Sequence, residues 1–163
     1  MRMSGAVEWA LHCCVALTDV ADPVPVAKLA RLHDVSSTYL AKQMQTMARA
    51  GLVRSVQGKA GGYVLTRAPE DISVLDVVLA IDGAAPAFEC TEIRQRGPLG
   101  TPPEDCTRAC PVARAMLAGE AAWRGALKDI SIRSLCDTVS AEGGGQALTA
   151  IHRWFAQPLT QST

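Results

Sequence analysis

The region from residue 24 to residue 67 constrains the fold most, because it predicts two short helices in close succession and then a β-hairpin. Apolar residues with helical spacing predict helices over 26–33 and 38–50. The second helix has an apolar stripe of Leu40, Met44 and Met47 and is expected to end at Gly51. Two segments that alternate with period two, 52–56 and 63–66, flank a glycine-rich turn and predict the hairpin. Two short helices joined by a tight turn are typical of a helix-turn-helix, and a hairpin directly after them forms the wing of a winged helix.

The composition supports a mainly helical chain. Hydrophobic residues make up 48% of the sequence but aromatic residues only 4%, so the core must be built from Ala, Val, Leu and Ile, which favours packed helices over an all-β sandwich. The predicted fold class is therefore mainly α with a small β-hairpin wing, in which a winged helix-turn-helix is combined with a long dimerisation helix. Helical spacing also predicts a first helix over 5–20 and a long helix over 112–130. The candidate buried residues of the long helix are Met116, Leu117, Ala121, Trp123 and Leu127. The predicted domain order is a winged helix-turn-helix domain over 1–83, a cysteine loop over 84–111, a dimerisation helix region over 112–140, and a short C-terminal helix with its tail over 141–163.

Basic residues are concentrated in the predicted winged helix. Residues 24–67 carry seven basic side chains and one acidic one, whereas residues 1–23 and 68–163 carry net charges of −2 and −4. A basic module joined to an acidic remainder is the charge distribution expected of a surface that binds phosphate groups. Ordinary solvated helix faces are the alternative explanation, since a local charge imbalance is a weak signal by itself.

The outer face of the second short helix is the predicted reader of DNA. The residues of this helix that are predicted to face away from the core are polar and basic, and the hairpin has a lysine at its predicted tip. Which side chain contacts a base and which contacts phosphate is left open. The expected DNA-binding residues are Ser37, Thr38, Tyr39, Lys42, Gln43, Arg49 and Lys59.

The six cysteines fall into two groups. The N-terminus shows neither a signal-peptide cleavage site nor an apolar run long enough to span a bilayer, so we expect a cytoplasmic protein without a membrane partner, whose cysteines are free, metal-binding or redox-active. Cys90, Cys106 and Cys110 bracket a turn-rich loop, and such a long loop needs a functional or stapling explanation. The other three lie in helical segments and are expected to be small buried hydrophobic residues: Cys13, Cys14 and Cys136.

Four sequence pieces in a fixed order carry a family resemblance. They are Ser37-Thr38-Tyr39-Leu40, Ala50-Gly51-Leu52-Val53, the turn 58–63 with sequence GKAGGY, and the segment 71–77 that continues to Ile81-Asp82-Gly83. Over about residues 5–138 the chain resembles the IscR/NsrR-type family of bacterial transcription regulators. The resemblance implies a homodimer on a double-stranded DNA operator, with the second short helix in the major groove and an iron–sulfur cluster held by the cysteine loop.

The ligand set that the resemblance implies must be adapted to this sequence. The spacing from Cys90 to Cys106 is longer than the family's usual first spacing, and Ala113 stands where IscR-type members carry a histidine. The first helix offers Glu8 and His12, which share one face at spacing i,i+4. By analogy with family members that take a ligand from the other subunit, we expect a 2Fe-2S cluster bound by Cys106 and Cys110 of one subunit and by Glu8 and His12 of the other.

Two details of this ligand hypothesis remain open. Cys90 is the alternative third ligand in place of Glu8 or His12. Replacing two thiolates by nitrogen and oxygen ligands should raise the reduction potential, as histidine ligation does in Rieske centres, which suits a one-electron switch like that of the redox-sensing members of the family. Trp9, adjacent to Glu8, is a candidate switch residue.

Other functions compete with the redox regulator. Cys90, Cys106 and Cys110 are also compatible with a zinc clamp that is purely structural, and a cluster of this family is equally compatible with sensing nitric oxide or iron supply. We expect no enzymatic activity, because the sequence contains no Rossmann or P-loop glycine motif and no nucleophile motif.

Overall fold

The computed structural model describes residues 3–58, 61–143 and 145–158. In that part of the chain it is mainly helical with one antiparallel hairpin, as the sequence predicts. No helix in the described ranges is long and apolar enough to span a membrane. The helices are α1 (Gly5–Ala16), α2 (Val26–Leu32), α3 (Ser37–Arg49), α4 (Val74–Asp82), α5 (Pro111–Lys128), α6 (Ile132–Glu142) and α7 (Gln146–Ala156), and the strands are β1 (Val53–Val56) and β2 (Gly62–Leu65).

The helix-turn-helix is formed by α2 and α3, close to the predicted boundaries. The Ser36 hydroxyl accepts a hydrogen bond from the Tyr39 amide at the start of α3, which satisfies one of the free amide groups of the first turn. Gly51 follows α3 with a φ of 73°, a left-handed conformation that glycine adopts without a steric penalty and that commonly ends helices. The predicted apolar stripe is confirmed, because its three residues are fully buried: Leu40, Met44 and Met47.

The wing is anchored to the chain that precedes α2. In the hairpin Val56 pairs with Gly62, and a backbone bridge joins Tyr63 to Val24 through hydrogen bonds of 3.0 and 2.8 Å. A Cβ atom on Gly62 would lie 2.3 Å from the backbone carbon of Val24. Only glycine therefore allows the wing to approach this close, which gives the Gly-Gly-Tyr motif a structural cause.

Helix α1 lies at the centre of the core, where it contacts α3, α4, α6 and α7. The buried cluster joins residues of the winged helix to Ile132, Cys136 and Phe155 of the C-terminal helices. A second backbone bridge, between Ser73 and Ser131, ties the start of α4 to the junction of α5 and α6. The predicted DNA-binding and dimerisation regions therefore share one continuous core. The expectation that Cys13, Cys14 and Cys136 are buried is confirmed.

Two predicted helices end earlier in the structure. The first was expected to reach Val20 but ends at Ala16, where the Thr18 hydroxyl bonds back to the Cys14 carbonyl and Asp19 adopts a left-handed φ of 58°. Helix α5 was expected to reach Ile130 but ends at Lys128, because the following backbone pairs with residues 72–74 instead.

The predicted burial along α5 is only partly correct. Trp123 and Leu127 are half-buried against a small apolar cluster. Met116, Leu117 and Ala121 were expected to be buried but are exposed in this chain, because α4 covers only one side of the helix.

Candidate DNA interface and candidate metal centre

The outer face of α3 is accessible where DNA contacts are predicted. Five of the seven expected side chains are exposed on this helix, and the Arg49 guanidinium donates a hydrogen bond of 3.2 Å to the Thr46 hydroxyl. Gln43 is half-buried, so it is less accessible than the sequence suggests. Lys59, which the sequence predicts at the tip of the wing, lies outside the described residues. The five exposed residues are Ser37, Thr38, Tyr39, Lys42 and Arg49.

The basic residues of the winged helix do not all face solvent freely. Lys28 donates hydrogen bonds to the carbonyls of Phe155 and Gln157 at the end of α7. Arg67 lies 3.9 Å from the Asp76 carboxylate. Part of the positive charge predicted to meet phosphate is therefore used to hold the fold together.

The cysteine loop is anchored to the middle of α5. Arg124 donates to the backbone carbonyls of Ala84 and Ala85, and the Glu120 carboxylate accepts from the Ala87 amide. Arg124 and Glu120 also form an ion pair of 2.8 Å. These contacts hold the first part of the loop, residues 84–87, against the middle of α5.

Two of the three loop cysteines line one cavity. Cys90 and Cys110 line a cavity of about 420 Å³ together with Phe88 and Arg94. Cys106, which precedes Cys110 in the same loop, is half-buried. The Cys110 thiol receives hydrogen bonds from the amides of Ala113 and Val112, which lower its pKa. Arg94 adds a smaller lowering through its positive charge. A thiol with a lowered pKa at a helix N-terminus is favoured as a thiolate, which is the form that binds metals.

Glu8 and His12 lie in a different place from the thiols. Both are exposed on α1 and line a groove of about 280 Å³ that α1 forms with α6, where Leu11 and Val139 provide apolar walls. Within the described residues, no three side chains of histidine, cysteine, aspartate or glutamate are grouped so that they could hold a metal ion. Within the described residues, the candidate ligands on α1 and the candidate ligands in the cysteine loop therefore lie in two separate places.

His33 is a residue that the sequence analysis left without a role. Its ring lies 6.0 Å from the ring of Trp9 and 5.7 Å from the ring of His12. Its Nε2 atom is buried with no hydrogen-bond partner among the described residues, and desolvation lowers its pKa, with a further lowering by the positive charge of His12. His33 directly follows α2. The contact between the His12 and His33 rings therefore joins α1, which carries the candidate ligands, to the turn before α3. No local pattern in the sequence could have indicated it.

Solved structures with the same architecture place the chain in a class of protein. CymR, the global cysteine regulator of B. subtilis, superposes on this chain with a TM-score of 0.63. The two are 21% identical over 85% of this chain and 98% of CymR. IscR from T. potens superposes with the same TM-score at 20% identity over 87% and 90% of the two chains. Likeness at this level of identity establishes the fold alone, which places the chain among the winged-helix proteins.

Sequence comparison then identifies the family. Residues 3–138 match the Rrf2 family, described as iron-dependent transcriptional regulators, and the chain belongs to that family. The HTH-type transcriptional regulator IscR of Escherichia coli is 37% identical over 92 residues, which are 55% of this chain and 57% of IscR. The match therefore spans little more than half the length of this curated relative. The family resemblance predicted from the four sequence pieces is confirmed, and the relatives are regulators rather than enzymes.

Proposed function

We propose that this protein is a cytoplasmic, homodimeric regulator that binds a double-stranded DNA operator and senses redox state through a 2Fe-2S cluster bridging its two subunits. The observation that carries the proposal is the division of the candidate ligands into two partial sets. Cys106 and Cys110 belong to the loop, Glu8 and His12 belong to α1, and neither set holds a metal site by itself among the described residues. A dimer that brings the loop of one subunit to α1 of the other would complete the site.

The exposed surface of α5 supports self-association. Val112 is 62% exposed, and Met116 and Leu117 are each about half exposed. All three are large apolar side chains on α5, the helix that directly follows the candidate ligand Cys110. Burial of such side chains between subunits contributes about 25 cal/mol for each Å² removed from water. Changing Leu117 to Glu should shift the protein toward monomer in sedimentation velocity. The same change at the exposed Arg153 of α7 should not.

The donor atoms of both sets suit an iron–sulfur cluster. Cys110 has a lowered pKa for the reasons given above, whereas burial raises the pKa of Cys13 to about 12, so the loop rather than the core supplies thiolates. When bound, the cluster supplies a group that gains or loses one electron. Histidine and carboxylate ligands in place of two thiolates raise the potential at which this occurs.

The chain itself provides a path from the ligands to the DNA-binding surface. Helix α1 carries Glu8 and His12 and packs directly against α3, and the His12–His33 contact adds a second connection to the turn between α2 and α3. A displacement of α1 would therefore change the position of α3 in each subunit and the spacing of the two recognition helices. Operator affinity can depend on the redox state only if the oxidised and reduced forms of the protein hold α1 differently.

The first experiment is a visible absorbance spectrum of anaerobically purified protein, with iron and acid-labile sulfide measured per chain, before and after mild reduction. Reversible bleaching, with iron and sulfide in equal amounts, supports the proposal. Cys106→Ala and Cys110→Ala should abolish the spectrum, and Cys90→Ala is the matched control that should keep it. A normal spectrum in Cys106→Ala would contradict the ligand assignment.

A structural zinc clamp is the second candidate, and one observation favours it. Cys90 lines the same cavity as Cys110, which is what a site formed by Cys90, Cys106 and Cys110 within one subunit would require. This function predicts a colourless, zinc-containing protein whose operator affinity does not depend on reductant. In that protein Cys90→Ala would release the metal, whereas Glu8→Gln would have no effect.

The DNA interface has its own test. Lys42→Ala and Arg49→Ala should each weaken operator binding and reduce the slope of log affinity against log salt by about 2, because each removes one phosphate-neutralising charge from each subunit of the proposed dimer. Arg153→Ala, on α7, is the matched control and should leave the slope unchanged. Equal slopes in all three variants would contradict the assignment of α3 to the DNA.

A further inference from the structure

The cysteine loop contains an ion pair that neither the family match nor the ligand hypothesis explains. Arg94 Nε donates to Glu92 Oε2 at 2.8 Å. The other oxygen of the same carboxylate, Oε1, lies 3.8 Å from Cys90 Sγ and accepts a hydrogen bond from it. Glu92 adopts this position with a left-handed φ of 51°, a conformation that is uncommon outside glycine and asparagine and that the surrounding contacts must stabilise.

Arg94 connects both ends of the loop. Its Nη2 atom donates a hydrogen bond of 2.6 Å to the carbonyl of Arg108, which lies between Cys106 and Cys110. Its own carbonyl accepts from the Thr101 amide at 2.8 Å. The side chain also lines the cavity that Cys110 and Cys90 share. One residue thus holds the segment after Cys90 to the segment that carries the two candidate ligands.

The charge of Arg94 acts on the candidate thiolates as well. In their thiolate form both Cys106 and Cys110 raise the pKa of Arg94, after its hydrogen bond to Glu92. A guanidinium remains protonated at any ordinary pH, so this positive charge is permanent. In the described chain Glu92 is the carboxylate paired with it.

We propose that Arg94 is a positioning residue for the cluster site, which holds Cys106 and Cys110 together through the Arg108 carbonyl and raises the reduction potential of the bound group through its permanent charge. This inference rests on the function proposed above. One-electron reduction adds one negative charge to the site, and a nearby cation stabilises the more negative state. Glu92 opposes this effect by partly neutralising the guanidinium, so the two residues form a pair that acts on the potential in opposite directions.

The test is a potentiometric titration of the reconstituted protein with dithionite as the electron donor, followed by absorbance. Arg94→Gln removes the charge and should decrease the ratio of reduced to oxidised protein about tenfold at a fixed potential, which is about 59 mV for a one-electron couple. Glu92→Gln should increase that ratio. The reduction potentials of Arg94→Lys and of Arg96→Gln should both stay near that of the parent protein. Arg96 is in the same loop and donates to the Thr91 carbonyl instead.

Shifts of the reduction potential in opposite directions in Arg94→Gln and Glu92→Gln support the inference. General loosening of the loop would instead shift the potential of both variants in the same direction. Equal potentials in the parent and Arg94→Gln, or shifts of the same sign in both variants, would overturn it. If Arg94→Gln takes up no cluster, the decision rests on Glu92→Gln, where an unchanged or lowered potential overturns the inference. A colourless parent protein would instead refute the proposed function, and the inference with it.

Discussion

Replacing Gly62 by alanine tests how the wing is attached to the rest of the fold. The added Cβ would lie 2.3 Å from the carbonyl carbon of Val24 and 2.6 Å from the nitrogen of Pro25. Real Cβ atoms do not approach backbone atoms so closely, and neither neighbour is a flexible side chain that could move aside. The strand must therefore separate from residues 24 and 25, which would break the two hydrogen bonds between Val24 and Tyr63.

The magnitude follows from those contacts. Two backbone hydrogen bonds contribute about 1 kcal/mol each, and overpacking adds about 1–3 kcal/mol, so Gly62→Ala should lower the free energy of unfolding by about 3 kcal/mol or more. A small domain has only about 5–15 kcal/mol in total, so the effect should be large in urea unfolding of the cluster-free protein followed by circular dichroism. Operator affinity should also fall, because the wing moves.

Gly5→Ala is the matched control, since a Cβ at that position meets no atom within 4 Å. It should change stability by less than about 0.5 kcal/mol, as is usual for a surface substitution. A loss of under 1 kcal/mol in Gly62→Ala, similar to that of the control, would refute the argument that the Val24 backbone requires glycine here.

Three further predictions concern charged and thiol groups. The Arg133 guanidinium donates hydrogen bonds of 2.7 and 2.8 Å to the Asp19 carboxylate and holds the pKa of that carboxyl below its usual value. The stabilising effect of this ion pair is therefore present at neutral pH and lost as the pH falls and Asp19 is protonated. Arg133→Met should thus cost less than about 1 kcal/mol at neutral pH, and urea unfolding should show a smaller cost near pH 3. In the folded, cluster-free protein, iodoacetamide should modify Cys110 well before Cys13, as followed by peptide mass spectrometry, because their pKa values are shifted in opposite directions. Lys28→Met should lower stability by about 1–2 kcal/mol and speed amide exchange in α7, because the Lys28 ammonium bonds to the last carbonyls of that helix.

Each of these predictions has a result that contradicts it. A cost for Arg133→Met that does not depend on pH would show that the side chain acts by packing rather than through its charge. Modification of Cys13 as fast as Cys110 would contradict the burial of the Cys13 side chain in the core. Unchanged exchange in α7 of Lys28→Met would mean that α7 is held by its apolar face alone, through residues such as Phe155.

The winged helix could be predicted because its signals are local. The stripe of Leu40, Met44 and Met47 follows the helical period, and Gly51 ends α3 at the predicted position. The end of α5 was wrong for a non-local reason. Residues near Ile130 pair with a segment almost sixty positions earlier, and periodicity within one helix contains no information about such a partner.

The sequence by itself determined the fold class, the family and the candidate residues, since hydrophobic spacing, turn residues and motif order depend on neighbours in the chain. Only the tertiary structure decided which of those residues come together. It separated Glu8 and His12 from the thiols, placed His33 against His12, and connected Arg94 to both segments of the cysteine loop. The physical reason is that these contacts depend on how helices and loops pack across long sequence separations, where short-range patterns no longer constrain which side chains meet.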